Sequence, residues 1–327
     1  MIIDVHQHFV FIPPKAREEA VSAWLKAMAE DSSISYGGGA RAERVPVTAA
    51  EVEQRFREFL PDPDGQKLIT RMDRCGIDVS ITCVMDNLAD PRNSDERLMG
   101  TNRVCAELAK NSNGRLIALA GIDPRRKEAP DMLRECIQEY GMKGLKWHPD
   151  QGYYPNSPEA YAMLKVAEEL QVPLLTHTGP LPTGAALGPA MRAKYAQPAL
   201  LDEVAQDFPK LKIIAAHMGN HFAWREWVAV ARCRPNIYGD LALWQLLAVG
   251  NYGRFCRDLR EILDVAGSDS VLFGSDDPYV TPVVPNEQFI QILKDLPHNA
   301  PGGIKFTEDE VAAILGGNAK KVFGLWD

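Results

Sequence analysis

Four short segments of this chain run apolar and then stop on a side chain that can bind a metal ion. They are Ile2-Ile3-Asp4-Val5-His6-Gln7-His8, Val172-Pro173-Leu174-Leu175-Thr176-His177, Ile213-Ile214-Ala215-Ala216-His217 and Val271-Leu272-Phe273-Gly274-Ser275-Asp276. Side chains alternate along a strand, so His6 and His8 face one side and Gln7 the other. Two imidazoles so placed can bind one cation. A third histidine and a carboxylate would complete a zinc-type hydrolytic site. Each piece alone has a plainer reading: His177 or His217 as a hydrogen-bonded histidine near a strand end, Asp276 as a cap for the following Asp277-Pro278. Their coincidence at one end of the expected strands, in a chain with only 7 histidines, points to a metal site.

Around these residues β-rich and helical patterns alternate along the chain, which implies βα units and a parallel sheet. Strands are expected at 2–8, 77–84, 116–122, 142–148, 172–177, 211–217, 236–241 and 270–275. Eight such strands close a (β/α)8 TIM barrel, an α/β fold. Helices are expected at 65–74, 94–111, 129–139, 157–170, 199–207, 221–233 and 254–266. Ser94 and the Ser157-Pro158-Glu159 run supply start signals, and Gly141 and Gly267 sit where caps belong. Two departures stand out. Residues 9–64 form an inserted lid segment after the first strand, with helices near 15–28 and 48–59, on the face where barrel enzymes keep their sites. Residues 286–327 read as C-terminal helices outside the barrel at 286–294, 307–316 and 318–324, the second opening on a capping box from Thr307 to Glu310. The expectation is a single domain over residues 1–327.

Composition narrows the function. An apolar fraction of 46% suits a large core, and a net charge of −8 disfavours nucleic acid or an anionic membrane as partner. Cys75, Cys83, Cys105, Cys136, Cys233 and Cys256 are scattered without C-x-x-C spacing, as in reduced thiols. No secretory leader or membrane-length apolar run is seen, so a cytoplasmic location is expected.

The ordered set, His-x-His on the first strand, His ending the fifth and the sixth, and Asp ending the eighth, resembles the amidohydrolase superfamily of metal-dependent barrels. The phrases Met72-Asp73-Arg74-Cys75-Gly76-Ile77-Asp78, Gly144-Leu145-Lys146-Trp147-His148-Pro149, Ala216-His217-Met218-Gly219 and Phe273-Gly274-Ser275-Asp276-Asp277-Pro278 resemble its amidohydrolase-related branch, which also holds aminocarboxymuconate-semialdehyde decarboxylase-like enzymes. The resemblance implies His6, His8, His177 and Asp276 as ligands of one divalent ion, Zn²⁺ or else Mn²⁺. It implies Asp276 as the acid–base group and His217 beside the metal, polarising a carbonyl or holding its oxyanion. Lys146 would bridge two metals if carboxylated, or else pair with a substrate carboxylate; His148 shares its face as a substrate contact. Asp240 would orient a ligand histidine. Trp147, Tyr153, Tyr154 and Trp244 are candidates for pocket walls or for packing mass. Arg41 and Arg44 are candidates to clamp a carboxylate, His221 a neighbour of His217, and His298 a surface-loop residue.

The function expected is hydrolysis of an amide, ester or lactone carbonyl in a small, carboxylated molecule. Non-oxidative decarboxylation of an aromatic or unsaturated acid on the same ligands is the alternative, and a catalytically silent ligand-binding barrel a third. The resemblance also implies a homodimer.

Overall fold

A computed structural model describes residues 1–10, 12, 18–32, 45, 47–180 and 191–325. Arg41 and Arg44 lie outside the described residues, as does the His221 side chain. Eight strands, β1 Ile3–His8, β2 Val79–Cys83, β3 Leu116–Gly121, β4 Leu145–Trp147, β5 Leu174–His177, β6 Ile213–Ala216, β7 Ile237–Asp240 and β8 Val271–Leu272, pair in sequence order. All seven ladders between successive strands are parallel. Backbone bonds from Val5 N to Phe273 O (2.9 Å) and from Asp276 N to His6 O (2.8 Å) join β8 to β1. The architecture is the (β/α)8 barrel that the alternating pattern implies.

The insertion after β1 contributes α1 Glu18–Ser32 and α2 Ala49–Phe59. Then come α3 Gln66–Cys75, α4 Asp95–Asn111, α5 Ala129–Gln138, α6 Pro158–Glu169, α7 Leu201–Asp207, α8 Asn220–Cys233, α9 Trp244–Gly250 and α10 Tyr252–Ala266. The C-terminal part adds α11 Asn286–Asn299, α12 Glu308–Ala312 and α13 Asn318–Phe323. Local chemistry sets their ends. Ser94 and Ser157 accept the backbone N–H of Arg97 and Ala160, each cap contributing about 1 kcal/mol. Thr48 with Glu51, and Thr307 with Glu310, form complete capping boxes.

Alternation sorts the strand residues into two layers. Val79, Ile81, Cys83, Leu119, Leu175, Ile214, Ala216 and Leu272 fill the barrel, while Leu145, Trp147, Leu174, Ile213, Ala215, Val271 and Phe273 pack outward against the helices. On β1, Ile3 and Val5 join the interior. A register irregularity between Asp4 and Gln7 then shifts the alternation, so His6 and His8 also face inward while Gln7 lines a small cavity beside α3.

Helix α9 adds to the expected elements, between the strand at 236–241 and the helix at 254–266; it starts where Leu243 turns left-handed, at φ 70°. One expectation needs correction: helix α11 runs through Pro297 to Asn299, so His298 lies in its last turn, exposed, rather than in a loop. The C-terminal helices lie outside the barrel as expected, and α13 covers its amino end, with Ala319 and Val322 packed against the interior cluster. These are the apolar positions of α13, and the open barrel end is the apolar surface available to them. In the insertion, Leu25, Met28, Val52, Phe56 and Phe59 share a cluster with Leu243, Leu246, Val280 and Val284, which follow β7 and β8. The insertion therefore packs against loops at the carboxyl ends of the strands.

Candidate metal centre

The proton positions of the histidines follow from their hydrogen bonds, because a carbonyl can only accept. His6 Nδ1 meets Asp240 Oδ2 at 3.0 Å, so Nδ1 donates and Nε2 keeps a lone pair. His177 Nε2 donates to Gly179 O (3.0 Å), which leaves Nδ1 as a lone pair, buried and, among the described residues, without a hydrogen-bond partner. His217 Nδ1 donates to Ala242 O (3.1 Å), which leaves its Nε2 unprotonated. Burial holds the pKa values of all three below that of free imidazole, so the neutral forms prevail.

These rings converge. His6 and His217 have centroids 5.0 Å apart, and His177 and His217 4.9 Å. His6 Nε2 lies 3.2 Å from His8 Nε2, 3.6 Å from Asp276 Oδ1 and 2.7 Å from Lys146 Nζ. His8 Nε2 lies 3.0 Å from Asp276 Oδ1. Burial alone would raise the Asp276 carboxyl, but the His8 hydrogen bond and the nearby imidazoles hold it well below the usual carboxylate range. Burial likewise disfavours charge on His8, yet Cys83 and Asp276 carry it up to about 9.

Donor atoms about 2.0–2.2 Å from one ion stand about 3–3.5 Å apart, the spacing of His6, His8 and Asp276. Imidazole rings and an ionised carboxylate thus crowd a buried space beside the Lys146 amine. That donor set fits a divalent ion. Among the described residues, His6 with His8 and Cys83, and His6 with His217 and Asp240, form compact three-donor groups. Cys83 escaped sequence reasoning. The signal was its place at the end of β2, which the register sets beside His8.

Backbone geometry aims these groups. Alternation from Ile214 and Ala216 would turn His217 outward; a left-handed φ of 67° returns it to the interior. Asp276 is also left-handed, at φ 58°. Each such residue costs on the order of 1–3 kcal/mol and persists only where its surroundings over-determine it. For Asp276 those surroundings are visible. Asp4 accepts from Ser275 Oγ (2.6 Å), Ser275 N (3.0 Å) and His6 N (3.1 Å), and Ser275 Oγ accepts from Asp277 N (3.0 Å). Asp277 in turn pairs with buried Arg71 at 2.7 Å. Asp240 also accepts from the backbone N–H of His217 and Ala242, so one carboxylate orients both His6 and the His217 turn.

The wall after β4 is rich in acceptors. His148 stacks on His177 with centroids 5.4 Å apart and 9° between planes, and its Nδ1 is 3.5 Å from Asp150 Oδ1. Burial lowers the His148 pKa to about 3. Asp150 is ionised: burial would raise it, but His177 and His148 bring it to about 2. Both its oxygens are buried and have no hydrogen bond among the described residues. Trp147 and Tyr153 lie edge to face at 5.9 Å in the outer core, whereas Tyr154 is exposed and meets Tyr195. Trp244 is buried and donates to His217 O (2.9 Å), supporting the turn that aims His217.

A family model described as Amidohydrolase matches residues 78–325. Among solved structures, an uncharacterised TIM-barrel protein from Bordetella bronchiseptica aligns at TM-score 0.67 and 21% identity, over 99% of this chain and 98% of that one. The 5-carboxyvanillate decarboxylase of Novosphingobium aromaticivorans, complexed with manganese and 4-hydroxy-3-methoxy-5-nitrobenzoic acid, aligns at 0.66 and 16%, over 99% and 96%. A probable 2-pyrone-4,6-dicarboxylic acid hydrolase from Acinetobacter baumannii aligns at 0.58 and 14%, over 99% of each chain. At these identities the likeness is one of fold.

Proposed function

The chain belongs to the amidohydrolase family, and on that premise we propose that it is a metal-dependent hydrolase of an amide, ester or lactone carbonyl in a small molecule. The observation that carries the metal reading is the convergence of the His6 Nε2 lone pair, His8 Nε2 and the Asp276 Oδ1 carboxylate, where a cation would displace the His8 proton, with His177 Nδ1 unpartnered among the described residues. His6, His8, His177 and Asp276 would hold Zn²⁺ or Mn²⁺. When bound, such an ion supplies Lewis acidity and brings the pKa of a water to about 7.

This chain's own residues do the rest. Asp276, an ionised carboxylate among the imidazoles, is placed to take a proton from water and deliver it to the leaving atom. Asp240 keeps the His6 proton on Nδ1 and so keeps Nε2 free. His217 cannot donate to an oxyanion while its one proton is committed to Ala242 O, so the sequence-based carbonyl role passes to Lys146. His217 Nε2 is instead a proton acceptor. Hydrolysis suits the wall after β4. Asp150 is ionised and, among the described residues, neither of its oxygens has a hydrogen bond, so it is placed to accept from an N–H or O–H of a substrate. A substrate carboxylate would need a partner such as Arg41 or Arg44.

Decarboxylation is the second reading, supported by the same donor set and by the fold likeness to the manganese-containing decarboxylase. The test is elemental analysis of protein purified without added metal, followed by amide, ester and lactone panels. About one ion per chain and chelator-sensitive hydrolysis are expected. Release of CO₂ from hydroxybenzoates or muconates without hydrolysis products would overturn the reaction, and absence of metal after reconstitution would overturn the site. His217→Asn should keep the metal and lose about 10²–10⁴-fold in turnover, as removal of a proton-transfer group does; loss of metal would make His217 a ligand.

A further inference from the structure

His6 and His8 are supported differently. The outer nitrogen of His6 has a carboxylate, Asp240, at 3.0 Å. The outer nitrogen of His8, Nδ1, has a thiol: Cys83 Sγ lies 3.7 Å away, within reach of a sulfur hydrogen bond. Cys83 is fully buried, ends β2, and is the register partner of His8 in the β1–β2 ladder. No other hydrogen bond to His8 Nδ1 is present among the described residues.

For His8 to offer Nε2 to a cation, its proton must reside on Nδ1, and the group facing Nδ1 must accept it. We propose that Cys83 is a positioning residue of the metal centre, its sulfur accepting the His8 Nδ1–H and thereby holding the ring in the tautomer that binds metal. This rests on the metal reading above. The strand pairing explains the placement: the interior positions Val79, Ile81 and Cys83 climb β2 to the level of His8, and a small side chain there leaves room for the ring. Serine keeps an acceptor at the same position, whereas alanine removes it.

The experiment is a chelator competition with Zn²⁺ on the full chain as wild type, Cys83→Ser and Cys83→Ala, with unfolding midpoints of the metal-free proteins measured alongside. Cys83→Ala should bind Zn²⁺ about 10–100-fold more weakly, and Cys83→Ser within a few-fold of wild type. Cobalt-loaded wild type should show no sulfur-to-cobalt charge-transfer band in the near ultraviolet. Wild-type affinity in Cys83→Ala would overturn the proposal while leaving the metal site standing. So would Cys83→Ser as weak as Cys83→Ala, and so would a charge-transfer band lost in Cys83→Ser, which would make sulfur a ligand. A wild-type protein that binds no Zn²⁺ would overturn both readings.

Discussion

Hydrogen-bond direction decides what each residue of the centre can do. Residue type and order along the chain made His6, His8, His177, His217 and Asp276 visible, because metal-competent side chains at strand ends are chemically conspicuous. Which nitrogen of each ring is free was not visible, since it depends on Asp240, Gly179 and Ala242, which are distant in sequence or lack telling side chains. Asp4 adds a titration of its own. Burial pushes its carboxyl up to about 7, against the hydrogen bonds from Ser275 and His6. Between the unfolded value of 3.8 and that folded value, the folded protein holds a proton that the unfolded chain lacks. Its contribution to stability is therefore complete below pH 3.8 and gone above pH 7, a loss of roughly 4 kcal/mol. Urea unfolding of metal-free protein at pH 5 and pH 7.5 should show a larger decline for wild type than for Asp4→Asn. Equal declines would mean that Asp4 titrates normally.

Strands deliver these residues only to the rim; short irregularities finish the aiming. Apolar runs located all eight strands to within a few residues, because near-continuous apolar stretches reflect burial on both faces of the sheet. It could not show the register shift within β1 or the left-handed turns at His217, Leu243 and Asp276, where non-glycine residues adopt backbone that local preference disfavours. The loops after β5 and β6 touch at Gly179. A Cβ there would sit 2.6 Å from the carbonyl of Gly219, and φ is +88°. Thr178 ties the same loops, donating to Ala216 O and accepting from Gly219 N. Gly179→Ala should cost about 3 kcal/mol or more in urea unfolding and weaken Zn²⁺ binding, because Gly179 O holds the His177 ring. Unchanged metal affinity would show that His177 is oriented by something else.

At the scale of the molecule, barrel closure and site assembly are one event. The β8–β1 seam brings Asp276 against His6 and His8, and the Arg71–Asp277 pair ties that seam to α3, with the guanidinium 4.1 Å over the Phe59 ring that ends α2. Arg71→Met would leave Asp277 buried without its cation. It should cost about 3–5 kcal/mol in urea unfolding and lower Zn²⁺ affinity with it; a neutral substitution would show that the seam closes without this pair. The fold class, the order of the elements and most candidate donor side chains are legible from residue types and order, because burial patterns and side-chain chemistry are local properties. That Cys83 backs His8, that Asp240 serves two histidines, that Asp150 stands beside His148, and that α13 packs on the barrel end follow from tertiary contacts. Those facts depend on which strand ends meet when the barrel closes, and that meeting is set by packing between residues as distant in the chain as β1 and α13.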